Sequence, residues 1–415
     1  MATKIGQYRI CLKPEFVIGR GSDGTTVYIG LSDDGIEVAV KCLLLDRCNQ
    51  LGSNEKMILN SPMIRKEQHI VNYRFYTEEV DSLHAYLVLD LCEENLQDYV
   101  LSEEHSKELL QSSGQGFSRQ ILNGLKALHC CNPVVLHRDL KPSNIFVNVE
   151  GEIVLADFGL SRKLTDEETT HRSNQRGTQG WVAVESLPTQ EDGDCLSIEE
   201  SKVRYKKQSD IQVAGMVIFY ILTKGGHPYG SSYLRTLNVI QGKPVNLNKL
   251  GDPLAKDLID WMLQHNLRAR PSVEECLKHP YLMCKDEKFH FVTRVGNERE
   301  IKTNDVSSDV VKQLNADPSL PKPSWKTKID AEVMSYVSSH RRFRTYSDDV
   351  ADLVRLIRNT AEHWRDKTPP TTVQAKVGTP KEYFLNLFPT LPVVLHRIIR
   401  KDPNWKQREQ LKQFF

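Results

Sequence analysis

The chain has 415 residues, of which 39% are hydrophobic and 26% are charged, so its composition excludes a wholly disordered protein. Its length exceeds what one hydrophobic core usually serves, which predicts two or three domains. The formal net charge of +1 conceals an asymmetry, because residues 285–415 hold 24 basic and 17 acidic side chains, a net +7, against −6 for residues 1–284. A basic C-terminal part fits a polyanionic partner or a merely solvated surface, and charge alone leaves both open.

The cysteines and the apolar segments indicate the compartment. The nine cysteines are odd in number and contain no C-x-x-C pair, which argues against a disulfide framework or a zinc site. The first residues lack an apolar signal region, and the most apolar run, Val213 to Leu222, is too short to span a bilayer. These features predict a soluble, cytoplasmic protein without a membrane segment, whose thiols serve as small core residues.

Residues 7–45 predict β-strands around a glycine-rich turn. Gly19, Gly21 and Gly24 have the G-x-G-x-x-G spacing that lets backbone approach a phosphate, although alone this spacing often marks only a flexible hairpin. A buried-strand pattern, Val-Ala-Val, then ends in Lys41. A helix with a glutamate that pairs with this lysine is expected next. Glu55 is the first choice and Glu67 is the alternative.

The polar stretch 135–144 lies between apolar residues, as expected for a loop held against a packed core. Phosphoryl transfer needs a carboxylate to orient the incoming hydroxyl, a nearby cation and an oxygen ligand for the metal. Asp139, Lys141 and Asn144 supply these three groups. A strand over 153–156 then ends in the D-F-G triplet, whose Asp157 is a second candidate metal ligand.

These motifs resemble those of eukaryotic protein kinases, and H-R-D-L-K-P-S-N at 137–144 is similar to the catalytic loop of the serine/threonine branch. The resemblance implies a two-lobed kinase domain over residues 1–284, with an N-lobe of about 1–92 and a C-lobe of about 93–284, that binds ATP or ADP with Mg²⁺. One departure is that Val27 lies one place later than in the usual glycine-rich loop. The nucleotide-binding residues implied are Gly19, Gly21, Gly24, Val27, Ala39, Lys41, Glu55, Asp90, Cys92, Asn144 and Asp157, with Asn144 and Asp157 on the metal.

The segment after Asp157 resembles a kinase activation loop. Glu185 is expected to pair with Arg270, and Asp210 to brace the backbone of the catalytic loop. A phosphate on this loop can pair with Arg138 and order it. The candidate phosphorylation sites are Ser161, Thr165, Thr169, Thr170 and Ser173.

Residues 347–366 predict a helix capped by Ser347, with one apolar stripe at helical spacing (Val350, Leu353, Val354, Ile357, Ala361 and Trp364). Asn359 and His363 lie one turn apart on the opposite face, with Arg358 on the flank and Tyr346 just before the helix. An imidazole, an amide, a guanidinium and a phenol suit RNA cleavage without metal. On spacing alone, a solvated helix face explains the same pattern.

Three further segments carry a resemblance: Phe343-Arg344-Thr345-Tyr346, Ile357-Arg358-Asn359 with His363, and Tyr383-Phe384. They resemble the kinase-extension nuclease (KEN) family, which is known from the unfolded-protein-response sensor kinase and RNase L. The resemblance implies an all-α KEN ribonuclease domain at 285–415 that needs no cofactor, and overall an α+β chain. In it His363 matches the general acid, Tyr346 the base, and Arg358 and Asn359 the pair that holds the phosphate.

The leading hypothesis is a dimerisation-activated endoribonuclease that cleaves single-stranded RNA loops and is regulated by nucleotide on an autophosphorylating kinase domain. The resemblance implies a homodimer or larger homo-oligomer and products with 2′,3′-cyclic phosphate and 5′-hydroxyl ends. Two alternatives stay open: a serine/threonine kinase whose C-terminal domain only dimerises, and a nucleotide-gated scaffold without catalysis.

Overall fold

The computed structural model describes residues 3–21, 24–44, 54–78, 84–164, 171–173, 178–187, 203–320, 324–339, 345–366 and 368–415. Internal contacts divide the chain into two compact units. Unit 1 comprises residues 1–251 and 259–277, and unit 2 comprises residues 252–258 and 278–415.

Unit 1 begins with an antiparallel sheet of seven strands within the described residues, in the order β1-β2-β4-β5-β7-β6, with β3 paired to β4. Side chains alternate between the two faces of the sheet. Along β5, Val38 and Val40 are fully buried, whereas Glu37 at the start of the strand is exposed. A helical turn over 54–59, α1, follows β5. The strands are β1 Thr3–Ile5, β2 Tyr8–Ile10, β3 Val17–Arg20, β4 Thr26–Ser32, β5 Glu37–Leu44, β6 Tyr73–Glu78 and β7 His84–Asp90.

The rest of unit 1 is mainly helical, with short strand pairs. Ser106 begins the long helix α3 because its side chain accepts a hydrogen bond from the Leu109 amide at 3.2 Å. Every residue of α4 from Ser209 onward is buried, so the most apolar run of the sequence is a core helix. The elements are β8 Glu94–Asn95, α2 Leu96–Leu101, α3 Lys107–His129, β9 Val135–Leu136, β10 Ile145–Val147, β11 Ile153–Leu155, β12 Arg162–Lys163, β13 His171–Ser173, β14 Val203–Tyr205, α4 Lys207–Leu222, α5 Ser232–Ile240, α6 Pro253–Met262 (which starts in unit 2) and α7 Val273–Leu277.

Unit 2 is helical, and the described residues after Tyr205 contain no strand. Its core surrounds the fully buried side chains of Phe291 and Trp325. The observed α+β arrangement followed by an all-helical region confirms the predicted fold class. The helices are α8 Lys285–Gly296, α9 Arg299–Thr303, α10 Asp309–Ala316, α11 Ala331–Ser339, α12 Val350–His363, α13 Thr371–Val377, α14 Pro380–Leu387, α15 Leu391–Ile399 and α16 Pro403–Lys406.

Helices α8 and α12 approach each other closely at Gly296. A Cβ added to Gly296 would lie 2.6 Å from the Cβ of Arg358 and 3.1 Å from the carbonyl oxygen of Val354. Glycine is therefore required for steric reasons at this crossing. The close approach places the residue after Gly296, Asn297, beside the polar side of α12.

The described residues include the most apolar run of the sequence and seven of the nine cysteines. Within the described residues, no helix is both long enough and apolar enough to cross a membrane. Among the described cysteines, all of which are free, Cys131 and Cys276 are buried, Cys130 and Cys284 are exposed, and the others are intermediate. The prediction that the thiols are mainly core residues is therefore wrong.

Candidate functional site

Lys41, Glu55 and Asp157 form one ionic cluster at the sheet of unit 1. The Lys41 Nζ lies 2.8 Å from the Glu55 carboxylate and 2.8 Å from the Asp157 carboxylate. The pairing of Lys41 with Glu55 was predicted from sequence and is observed. The alternative, Glu67, instead accepts a hydrogen bond from the His69 amide at 3.2 Å. Glu67 is therefore engaged elsewhere, and Glu55 is the partner of Lys41.

Charge and burial shift the pKa values of this cluster in different directions. Burial opposes the charged form of Lys41, but Glu55 and Asp157 outweigh it and raise the pKa of Lys41. The charge of Lys41 lowers the pKa of Asp157, whereas burial raises the pKa of Glu55. Asp157 is thus held as a carboxylate at neutral pH, which is the form that binds a metal.

The catalytic-loop residues converge on the carboxylate of Asp139. One of its oxygens accepts hydrogen bonds from Lys141 Nζ at 3.0 Å and Asn144 Nδ2 at 2.8 Å. The other accepts from the hydroxyl and backbone amide of Thr178 at 2.8 and 3.1 Å. Lys141 also donates to the Thr178 hydroxyl at 2.7 Å. Asp139, Lys141 and Asn144 therefore meet as predicted, and Thr178 is an additional member of the cluster.

Asp210 braces this loop from beneath, as expected. Its two carboxylate oxygens accept the backbone amides of His137 and Arg138 at 2.9 and 3.0 Å, and His129 lies 3.0 Å away. Arg138 has a φ of 69°, an unusual conformation for a non-glycine residue, so these bonds support a strained turn. Its guanidinium lies 4.3 Å from the Tyr205 ring centre.

The residues assigned to nucleotide binding border this cluster. Gly19 lies in β3 and pairs in register with Val27 of β4, and Val27 in turn pairs with Lys41 of β5. Gly24, with a φ of +79°, requires glycine at the turn that joins the strands. Gly21 hydrogen-bonds through its amide to the Thr25 carbonyl at 2.9 Å, which closes the turn.

The segment compared with a kinase hinge begins where β7 ends. Ala39 pairs in register with Leu89 of β7, next to Asp90. The Asp90 amide donates to the Asn72 carbonyl at 3.1 Å, which fixes the end of the strand. Burial raises the pKa of Cys92 to about 11, so this thiol stays protonated at neutral pH.

The donor set fits a magnesium nucleotide. Asp157 supplies a carboxylate held in its ionised form, and Asn144 uses its amide nitrogen on Asp139, which leaves the amide oxygen as a donor. Oxygen ligands of this kind suit Mg²⁺. Lys41 adds a cation between them and the glycine-rich strands.

In the activation segment, Glu185 and Ser161 are both engaged in hydrogen bonds. Arg270 donates to both oxygens of Glu185 at 2.9 and 3.0 Å, which is the predicted pair. Ser161 is fully buried, and its hydroxyl donates to the His137 carbonyl at 2.9 Å. Ser161 is therefore a structural residue in this conformation and not an accessible phosphorylation site. Thr165, Thr169 and Thr170 lie outside the described residues, and so does the side chain of Ser173.

In unit 2, three of the four predicted nuclease residues form one chain of hydrogen bonds. The Asn359 Nδ2 donates to the Tyr346 hydroxyl at 3.1 Å, and its amide oxygen accepts from Arg358 Nη1 at 2.9 Å. Arg358 Nε donates to the Asn297 side chain at 2.7 Å. Asn359 is thus held from both sides between the phenol and the guanidinium.

His363 lies one turn further along α12. Among the described residues, its hydrogen bonding reaches Asp366, whose carboxylate is 2.7 Å from Nδ1, and not the other three side chains. The imidazole is about half exposed, at 51%. A carboxylate at Nδ1 orients the ring and leaves Nε2 directed away from Asp366, which suits proton transfer at Nε2.

The start of α12 differs from the sequence prediction. The N-cap residue is Asp349 and not Ser347, whose amide donates to the carboxylate of Asp352 at 2.6 Å. The first half of the helix is buried on both faces, because Asp352 and Arg355 pair at 3.1 Å beneath the surface. The predicted apolar stripe is buried at Val350, Leu353, Val354 and Ile357, and in this half the opposite side of the helix is buried as well. Of the Phe343 to Tyr346 motif, only Thr345 and Tyr346 lie within the described residues.

Four residues of these two sites were not predicted. Thr178 contacts Asp139 and Lys141, Asn297 contacts Arg358, Asp366 contacts His363, and Glu362 lies 2.8 Å from Arg358 Nη2. The last two have a sequence signal, since Arg358 to Glu362 is an i,i+4 pair and His363 to Asp366 an i,i+3 pair. Thr178 and Asn297 have none, because they are far in sequence from their partners.

The fold and both sites define a protein kinase domain joined to a second, helical domain, and comparison with known proteins identifies each part. Residues 13–282 match the family described as Protein kinase domain, and residues 288–415 match Ribonuclease 2-5A. The chain belongs to the kinase-extension nuclease family, in which these two domains follow one another.

Similar proteins have the same two domains within longer chains. The serine/threonine-protein kinase/endoribonuclease IRE2 of Homo sapiens is 31% identical over 409 residues, covering 94% of this chain and 41% of that protein. The ire-1 protein of Caenorhabditis elegans, with the same description, is 30% identical, covering 92% and 38%. The sensor for unfolded proteins in the ER, ire1 of Schizosaccharomyces pombe, is 29% identical, covering 92% and 37%. The chain thus spans about two-fifths of the length of these relatives.

Proposed function

We propose that this protein is an endoribonuclease whose activity depends on dimerisation and on nucleotide bound to its kinase domain. The observation that carries the proposal is the hydrogen-bonded chain Tyr346–Asn359–Arg358 with His363 one turn away. It offers a phenol, an amide, a guanidinium and an imidazole on one side of α12. The relatives described as kinase/endoribonucleases support the same reading.

The proposed reaction is an internal transesterification of RNA. Tyr346 in its phenolate form accepts the proton of the 2′-hydroxyl as the 2′-oxygen attacks the adjacent phosphorus, and the protonated imidazole of His363 gives its Nε2 proton to the 5′-oxygen as the P–O5′ bond breaks. Arg358 and Asn359 donate to the non-bridging oxygens, where negative charge grows. The products carry a 2′,3′-cyclic phosphate and a 5′-hydroxyl, and no metal takes part. Single-stranded loops are the expected substrate, because unstacked nucleotides can align the 2′-hydroxyl with the phosphate.

The kinase site is proposed to read the nucleotide. Bound ATP supplies the phosphoryl group, and its magnesium the counter-charge. Asn144 and Asp157 would hold that metal, Lys41 the phosphates, and Asp139 the hydroxyl of the acceptor. Nucleotide binding would favour association of two kinase domains, so that two nuclease modules meet. Autophosphorylation belongs to the same proposal.

Cleavage of stem-loop RNA tests the nuclease part. Purified protein at high concentration with saturating nucleotide should release fragments with cyclic phosphate ends, and a 2′-deoxy sugar at the cleaved position should block the cut. His363→Ala should abolish cleavage while leaving the thermal unfolding temperature near that of the wild type. Intact RNA under these conditions, or normal cleavage by His363→Ala, would refute the proposal.

A second candidate function is a serine/threonine kinase whose C-terminal domain only dimerises. The assembled cluster favours it, because Lys41 contacts both Glu55 and Asp157 at 2.8 Å and Asp139 is within reach of Lys141. Labelled ATP with the wild type and Asp139→Asn tests it. Incorporation by the wild type alone, without any RNA cleavage, would favour this candidate, and equal incorporation in both proteins would exclude phosphoryl transfer.

A further inference from the structure

The guanidinium of Arg358 is engaged on all three of its nitrogens. Nε donates to Asn297 at 2.7 Å, Nη1 donates to Asn359 at 2.9 Å, and Nη2 lies 2.8 Å from the Glu362 carboxylate. An arginine has five N–H donors, so these contacts fix the plane of the group. Its side chain is 19% exposed. Arg358 is therefore held in place before any substrate arrives.

The three partners differ in charge. The amide oxygens of Asn297 and Asn359 are neutral acceptors. They orient the Arg358 guanidinium without neutralising its positive charge. The third partner, Glu362, is a negatively charged carboxylate that faces Nη2 of Arg358. A non-bridging phosphate oxygen has the same charge and makes the same kind of contact with a guanidinium. Glu362 thus makes the kind of contact with Arg358 Nη2 that a phosphate oxygen would make.

The partners also differ in how freely they can leave. The crossing at Gly296 holds the stem of Arg358, since a single added Cβ would meet it at 2.6 Å. Glu362, in contrast, is 41% exposed. It lines an open cavity of about 820 Å³ together with Trp364 and Arg365, so the displaced carboxylate has room to move. Rotation of Glu362 frees Nη2 without disturbing the two amides.

We propose that Glu362 is an internal competitor of the substrate: its carboxylate stands in for an RNA phosphate on Arg358 and must be displaced before RNA binds. This inference rests on the proposed ribonuclease function and adds a residue that sets substrate affinity. Glu362 raises the RNA concentration needed for half-maximal rate and takes no part in proton transfer. Exposed ion pairs contribute little, so the effect on affinity is roughly two- to fivefold.

The test replaces Glu362 by Gln in the full chain, which removes the charge and keeps the size. KM and kcat are measured with a single-stranded RNA, and the dissociation constant with the same RNA carrying 2′-O-methyl groups, which cannot be cleaved. Glu362→Gln should lower KM and the dissociation constant by roughly two- to fivefold with kcat nearly unchanged. Glu409→Gln, at an exposed site outside the Arg358 network, makes the same change in net charge and should have a smaller effect.

A double variant identifies the atom involved. In an Arg358→Ala background, which is studied by binding alone, Glu362→Gln should no longer tighten RNA binding. Unchanged binding by Glu362→Gln, an equal effect of Glu409→Gln, a gain that persists without Arg358, or a large loss of kcat would each overturn the inference. If the wild-type protein binds but does not cut RNA, the proposed function fails, whereas the binding comparison still decides the role of Glu362.

Discussion

His363 and Asp366 form the contact that most directly concerns the proposed proton transfer. The carboxylate orients the imidazole through Nδ1 at 2.7 Å, but both side chains are more than half exposed. Asp366→Asn should therefore lower kcat only several-fold, because an exposed pair contributes about 1 kcal/mol or less. His363→Ala should lose roughly a hundredfold or more.

The measurement is kcat for RNA cleavage across pH, with KM recorded for each variant. Asp366→Asn should change kcat and the pH profile with little change in KM, since Asp366 positions His363 and is not proposed to touch substrate. A loss as large as that of His363→Ala would assign Asp366 a direct role. An unchanged pH profile would show that the contact is only structural.

The buried His227 is expected to make the stability of the kinase domain depend on pH. Burial, aided by the charge of Arg235, lowers the pKa of His227 to about 3, whereas an unfolded histidine titrates near 6.5. Below pH 6.5 the unfolded chain binds a proton that the folded chain does not, so the stability present at higher pH is lost as pH falls toward 3. Between pH 7 and pH 5 this residue should remove about 1–2 kcal/mol from the free energy of unfolding.

The check is denaturant unfolding of the wild type and His227→Asn at both pH values. Asparagine can still accept the Tyr229 amide that His227 Nδ1 accepts at 3.2 Å, but it does not titrate. Trp181, whose ring centre is 5.0 Å from the His227 ring, provides a local fluorescence signal. The pH dependence should be weaker in the variant. The same dependence in both proteins would show that His227 is not responsible.

Residues that lie close together within one sequence motif could be assigned to a site from the sequence. Asp139, Lys141 and Asn144 lie within six residues of each other, and the structure brings them onto one carboxylate. Asn297 was missed because its partner Arg358 is 61 residues away, and only packing of two helices joins them. Thr178 is likewise 39 residues from Asp139. Contacts of this kind depend on tertiary packing, which no local pattern contains.

At the scale of elements, the crossing of α8 and α12 is the feature on which the proposed nuclease site depends. Gly296→Ala would force the helices apart or move Arg358, because the new methyl would lie 2.6 Å from its Cβ. We expect a loss of about 1–3 kcal/mol in stability of unit 2 and a larger relative loss of RNA cleavage. Thermal unfolding and kcat/KM for cleavage measure the two effects.

Gly116→Ala in α3 is the matched control. Nothing lies within 4 Å of its added Cβ, so the same change should stabilise the helix by about 0.5–1 kcal/mol. Its cleavage rate should equal that of the wild type. If Gly296→Ala left both stability and cleavage unchanged, the crossing would not control the position of Arg358.

Helix α12 also shows where the sequence prediction of an element fails. The helical spacing of its apolar residues was sufficient to predict the helix itself. The buried pair of Asp352 and Arg355 was not predicted, because the i,i+3 spacing of two opposite charges does not show whether the pair is buried. Ser347, the predicted cap residue, instead donates its backbone amide to the carboxylate of Asp352 at 2.6 Å. Asp352 lies within the helix that Ser347 was expected to cap.

At the scale of the whole molecule, two candidate sites lie in one chain that spans about two-fifths of the length of its curated relatives. Unit 1 contains the assembled cluster of Lys41, Glu55 and Asp157, and unit 2 contains the hydrogen-bonded chain from Tyr346 to Arg358. The net charge of +7 on residues 285–415 agrees with an RNA substrate. In the proposed function, association of two copies couples the kinase domain to the nuclease, and bound nucleotide favours that association.

The most direct test is the rate of RNA cleavage as a function of protein concentration, with and without ADP and magnesium. If dimerisation activates the nuclease, activity per molecule rises with concentration, and nucleotide moves the rise to lower concentration because it binds the associated form better. Asp139→Asn, which keeps Lys41 and Asp157, should retain this nucleotide effect. Activity per molecule that stays constant over the whole concentration range, with or without nucleotide, would contradict the account.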